Sequence, residues 1–338
     1  MLFAPPYLIA RAGHSAVVIF FVLSGYLISG SVFRMFAAGR WSWKRYSLHR
    51  LLRLWIVLIP GLMLTALCDQ TGMHLHRAPA QMLYSGASGN HMLANVHLTS
   101  GFLVALGNVA FLQTLRVPVF GSDGALWSLA NEFWYYVLFP LALVALRPGT
   151  KVLPRLVHLA GFGLVAFFVR GGMLSGFPVW LLGTCLALMP APPSFGNGWR
   201  WASTVVYVLL FFGLGPADVV PNGYGDFVLG ILTLGFLWVL LSARSRAAEN
   251  AVPVQATRTL ARFSYTLYVV HTPVLVLIAA LISRPIRWQP TAPHLLTGFG
   301  ILLLVVAFCI CVAKVTEFRT DILRRGIESR LGLSVPSA

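Results

Sequence analysis

The chain has 338 residues, of which 58% are hydrophobic and 10% charged, with a mean hydropathy of +0.79. A soluble domain carries about 25% charged residues, so this composition excludes an ordinary soluble fold. Apolar runs of nearly 20 residues exclude a membrane β-barrel, whose strands alternate over about ten.

The formal charge of +16 does not mark a nucleic-acid binder. Lys and Arg lie almost wholly between the apolar runs, where they set orientation and meet anionic headgroups. Nine spans are predicted, at 15–35, 52–68, 126–146, 156–169, 177–189, 201–214, 227–241, 263–282 and 295–315. The expected fold is an all-α polytopic membrane protein of about nine transmembrane helices, one domain over 1–338. Residues 69–125, rich in Gly, His and Asn at their flanks, are expected to form an extracytoplasmic loop with a short helix. Residues 316–338 form a polar tail.

Alternate loops at 34–53, 147–155, 200, 244–262 and 314–330 hold 19 of the 25 Lys and Arg. Those loops, and with them the C-terminus, are therefore expected on the cytoplasmic side. Nine spans then put the N-terminus outside, although its first residues show no signal-peptide pattern. The charge count thus predicts a further helix upstream of the first span. Cys68, Cys185, Cys309 and Cys311 sit in or beside apolar runs without disulfide or metal-ligand spacing, and the histidines of the 69–125 loop match no metal site, so none is expected.

In chain order, the first span reads GHSAVVIFFVLSGYLI from Gly13 to Ile28. His14 stands at its outer mouth, and Ser24-Gly25 at its middle permits close approach of another helix. The run Trp41–Pro60 enters its helix through Arg45, Arg50 and Arg53. Positive-inside anchoring explains most of this charge, but Arg50 and Arg53 at i, i+3 can also address one partner, and guanidinium suits phosphate.

The run Leu126–Pro140, LWSLANEFWYYVLFP, sets Glu132 inside an apolar segment. An ionisable group there is a functional candidate by default, and Ser128, Glu132 and Tyr136 share its helical face. Residues 147–258 carry few polar groups and read as scaffold. The run Ala261–Pro273, ARFSYTLYVVHTP, places His271 two residues before a proline, with Tyr268 one turn earlier.

Taken together, "FFVLSGYLI", "HRLLRLWIVLIP", "LWSLANEFWYYVLFP" and "FSYTLYVVHTP" in this order resemble the acyltransferase-3 family of bacterial membrane acyltransferases, over about residues 13–315. The resemblance implies a ten-helix bundle in the bacterial inner membrane, here without the first helix. It also implies transfer of an acyl group, usually acetyl, from acyl-CoA to a hydroxyl of a cell-surface or periplasmic glycan or glycolipid. Acyl-CoA enters as donor substrate, with no permanently bound cofactor. Glu132, His271 and His14 are then the catalytic candidates. Arg50, Arg53 and Arg45 are the donor-binding candidates, and Ser24, Ser128, Tyr136 and Tyr268 line the substrate tunnel.

The family's first helix carries an Arg and, about three turns on, a His regarded as the base; His14 is not that histidine by position. Two other readings remain open: a transporter or flippase for a sugar or lipid-linked intermediate, and an inactive truncated acyltransferase.

Overall fold

A chain that cannot leave backbone N–H and C=O groups unpaired in hydrocarbon answers with helices, and among the described residues of this computed structural model helices supply the regular structure apart from one isolated bridge between Gln113 and Val117. The structure describes residues 13–75, 78–85, 93, 95–214, 224–242, 252–282 and 291–332. The helices are α1 (Gly13–Ala37), α2 (Trp43–Met73), α3 (Ala78–Tyr84), α4 (Val96–Thr99), α5 (Phe102–Val109), α6 (Leu126–Leu146), α7 (Val152–Phe168), α8 (Gly172–Ser175), α9 (Phe177–Leu188), α10 (Asn197–Leu214), α11 (Gly225–Leu241), α12 (Val252–Ile282), α13 (Ala292–Val315) and α14 (Thr320–Arg330).

Five segments among the described residues are long and apolar enough to cross a bilayer: α1, α2, α6, Leu260–Ile282 within α12, and Ala292–Arg330 beginning with α13. A sixth crossing exists if α7 and the following Gly172–Leu188 segment count as one span, bent by 119°. The nine spans expected from hydropathy are not reached among the described residues: α10 has 18 residues but begins with the polar stretch Asn197–Arg200, and the other three are short. Helices α7, α9 and α11 have 17, 12 and 17 residues, and at about 1.5 Å per residue none covers the ~30 Å of a hydrocarbon core. Gly171 breaks the chain after α7 at φ 96, a conformation that glycine takes without a Cβ penalty.

Helix α2 runs well beyond the apolar stretch 52–68. Ser42 caps it by accepting the Arg45 N–H at 3.5 Å, so the basic residues from Lys44 to Arg53 are helical rather than loop.

The chain divides into two compact units, 1–41 with 131–246 and 42–130 with 247–338; α6 begins in the second and continues in the first. In the first unit the core is aromatic. Tyr135 meets Phe21 at 5.5 Å and Phe177 at 5.3 Å, and Phe139 meets Trp180 at 5.2 Å and Phe33 at 5.8 Å. Glycines bring α1 and α9 together backbone to backbone: a Cβ on Gly25 would stand 3.2 Å from Gly183 Cα and inside contact with the Trp180 carbonyl.

In the second unit α2 and α12 pack closely, with a Gly61 Cβ position 2.5 Å from Val269 Cγ1, and the Tyr265 hydroxyl donates to the Leu54 carbonyl at 3.1 Å. Val270, Val305 and Cys309 form one buried cluster, and Ala80, Tyr84, Leu93, Val96 and Ala280 another. The side chains of Leu296, Phe299, Leu302, Leu303 and Leu304 on α13 point outward, as an apolar face turned to lipid does.

Candidate active site

Glu132 is buried at 5% exposure in the first unit. Holding a carboxylate at such depth costs roughly 2.5–3.5 kcal/mol on insertion scales, and the structure offsets this with donors. Ser24 Oγ donates to Glu132 Oε1 at 3.2 Å, and the Tyr136 hydroxyl donates to the same oxygen. The two hydroxyls stand 3.5 Å apart. Trp180, fully buried, donates its indole N–H to Ser24 Oγ at 3.2 Å.

Donation therefore runs one way, from Trp180 to Ser24 to Glu132. This polarises Ser24 toward the acid and fixes the carboxylate in one orientation. Local sequence explains the assembly. Tyr136 follows Glu132 by one helical turn, while Ser24 precedes Gly25, the residue that lets α1 approach the backbone of α9.

His14, half-exposed at the start of α1, binds the carboxylate of Asp226 on α11, with Nε2 at 2.9 Å from both oxygens. Both side chains are about half-exposed, so the pair stands at the surface of this unit.

In the second unit, the Ser128 and Tyr268 hydroxyls are 2.5 Å apart. Tyr268 donates to the Ala125 carbonyl at 2.8 Å, so Ser128 donates to Tyr268. The three groups tie α12 to the first turn of α6. His271 Nδ1 lies 2.9 Å from the carbonyls of Leu267 and Tyr268. Carbonyl oxygens only accept, so Nδ1 carries the proton and Nε2 keeps a lone pair; Thr272 Oγ1 stands 3.3 Å from it.

The predicted donor-binding arginines fall into different settings. Arg45 Nε binds Glu328 Oε1 at 3.3 Å, and His49 Nε2 binds the same oxygen at 2.5 Å. Arg50 lies over the Tyr46 ring with its guanidinium carbon 5.4 Å from the centroid. Arg53 is exposed and acts electrostatically on Glu317, whose Oε2 accepts from the Thr266 backbone and hydroxyl at 2.9 and 2.7 Å.

The structure thus brings Ser24, Glu132 and Tyr136 together in one unit. In the other it joins Ser128 to Tyr268 and places His271 one turn on from Tyr268. Trp180 lies within 147–258, where few polar groups give composition nothing to single out. The available signal was a tryptophan three residues before Gly183 in a helix with few polar groups. Asp226 and Glu328 were missed because their partners lie 212 and 279 residues away.

A family model described as an acyltransferase domain matches residues 1–314. No curated protein and no solved structure matches the chain at a significant level.

Proposed function

Because the chain belongs to the acyltransferase-3 family and is a membrane acyltransferase, we propose that it moves an acyl group, acetyl in the simplest case, from acyl-CoA to a hydroxyl of a cell-surface or periplasmic glycan. The observation that carries this reading is the buried Glu132 held by Ser24, Tyr136 and Trp180. A carboxyl group buried here under two hydroxyl donors, one of them backed by the Trp180 indole, suits proton handling in a thioester acyl transfer.

In the proposed reaction the acceptor hydroxyl gives its proton to a base, and its oxygen bonds to the thioester carbonyl carbon. The tetrahedral intermediate then expels the coenzyme A thiolate. The C–O bond forms, the C–S bond breaks, and the proton returns to the thiolate. Glu132 takes or orients that proton. His271 offers an Nε2 lone pair for the same class of work, and His14 with Asp226 serves the acceptor side. Arg50, Arg53 and Arg45 are assigned to coenzyme A phosphates, which guanidinium groups bind through paired hydrogen bonds. The inner membrane is the proposed location, with the C-terminus cytoplasmic.

The direct test uses the full chain in proteoliposomes with acetyl-CoA and a surface-glycan acceptor. Free thiol release and glycan O-acetyl content are expected to rise together, only with acceptor present. Movement of a lipid-linked sugar without thiol release would overturn the reading.

The Glu328 contact supplies a second prediction. Its carboxylate occupies Arg45 and His49, the same groups a phosphate would use. Glu328→Gln removes this competing charge, worth roughly 1 kcal/mol for a partly exposed pair. KM for acyl-CoA is expected to fall about five-fold with kcat little changed. Steady-state kinetics at fixed acceptor check this; an unchanged KM would place donor phosphates elsewhere.

A further inference from the structure

Two aspartates that take no part in the proposed chemistry lie buried in the second unit. Asp69 sits near the end of α2 and Asp123 just before α6, both with no measurable exposure. Holding either of them as an anion without a partner at this burial is costly. Asp69 Oδ2 accepts the Ser122 N–H at 2.8 Å. Gly121 makes that approach possible, at φ 55, because a side chain there would collide with the same carboxylate.

Three carboxylate oxygens have no hydrogen-bond partner, Asp69 Oδ1 and both of Asp123; the Ser122 hydroxyl favours Asp69 electrostatically but does not meet hydrogen-bond geometry with it. The Ala125 amide, just before α6, favours Asp123 electrostatically without meeting hydrogen-bond geometry. Two further fully buried oxygens without partners belong to the same set of loops. The Tyr84 hydroxyl lies against Gly72, one turn on from Asp69, and feels its charge. Gln113 Oε1 belongs to a side chain anchored on the Leu126 carbonyl at 2.9 Å, and the Leu126 N–H in turn donates to the Asp123 carbonyl at 3.2 Å.

Three of the four oxygens of this buried carboxylate pair thus lack a hydrogen bond. No Lys, Arg or His among the described residues pairs with either aspartate. Among the described residues no group of three or more His, Cys, Asp or Glu that could hold a metal ion is found, and the side-chain atoms left open by this pair are oxygens. Hard divalent cations take carboxylate, hydroxyl and amide oxygens and need no third acid. A water molecule would supply two donors but leave both charges unmatched. We infer that Asp69 and Asp123, with the Ser122 hydroxyl, hold a hard divalent cation of the calcium or magnesium class that locks the 111–125 segment against the end of α2.

The test is cation dependence of thermal unfolding for the purified full chain in detergent at pH 7.5. The protein is stripped with EDTA and titrated with Ca2+ or Mg2+ separately, and equilibrium dialysis with 45Ca2+ supplies the stoichiometry. Wild type is expected to bind one ion and to melt several degrees higher when saturated. Asp123→Asn is expected to weaken that affinity at least ten-fold, while its ion-free form melts no lower than ion-free wild type, since one buried charge is gone and the shape is kept. If Asp123→Asn does not fold, Asp69→Asn takes its place, and dialysis of wild type alone still decides. No bound ion in wild type, with a raised melting point in the Asn variant, would mean that a shared proton settles the pair. An equal cation response in wild type and variant would put the ion elsewhere. Either result overturns the inference.

Discussion

Glu132→Gln is expected to lower the rate of acyl transfer about 100-fold or more, the range for loss of a proton-transferring group, while the protein folds and inserts as before. The substitution separates chemistry from structure because the amide oxygen can still accept from Ser24 and Tyr136 at Oε1. The one-way chain from Trp180 therefore survives; only the charge and the basic lone pair are lost. Removing a buried charge while keeping shape is neutral or stabilising as often as not, so the melting temperature should not fall. Thiol release and thermal unfolding on the same preparation check both halves. Near-normal activity would make Glu132 a structural acid.

Gly183→Leu is expected to remove folded protein. A Cβ at residue 183 would lie 2.5 Å from the Tyr26 backbone nitrogen and inside contact with the Val22 carbonyl, and both obstacles are main chain that no rotamer can move. Overpacking of a core typically costs about 1–3 kcal/mol when side chains can give way; here they cannot, so the upper end or beyond is expected. The control is Gly163→Leu on α7, where a Cβ meets nothing within 4 Å. Size-exclusion profiles and melting curves should show loss for the first and near-normal behaviour for the second. Comparable behaviour of the two would mean that α1 and α9 do not meet through their glycines.

These two expectations mark how far the sequence could be read. Ser24, Glu132 and Tyr136 were legible because each carries a local sign: a small-residue pair in a membrane helix, an acid among apolar residues, a tyrosine one turn away. The helical character was equally plain from composition. The span count was not, since hydropathy registers an apolar run but not whether it is straight, and the runs around 156–189 are divided by a bend at Gly171. Contacts such as Trp180 to Ser24, His14 to Asp226 and Arg45 to Glu328 join residues 156 to 283 positions apart. No periodicity encodes such pairs; tertiary packing alone makes them.

The bend after α7 has a consequence for the surrounding bilayer. Tyr135 pins it from within, donating its hydroxyl to the Met173 carbonyl at 2.6 Å and packing against Gly176. The break is thus a fixed corner, with its exposed backbone oxygen supplied by protein rather than by water. Helix α7, about 25 Å long, presents an apolar outer surface shorter than an average membrane is thick. Lipid chains beside that flank must compress to match it, at a cost of fractions of a kcal/mol per Å. Where α7 stands against lipid, a local thinning of the bilayer is expected, at a corner that the Tyr135 hydroxyl helps to fix.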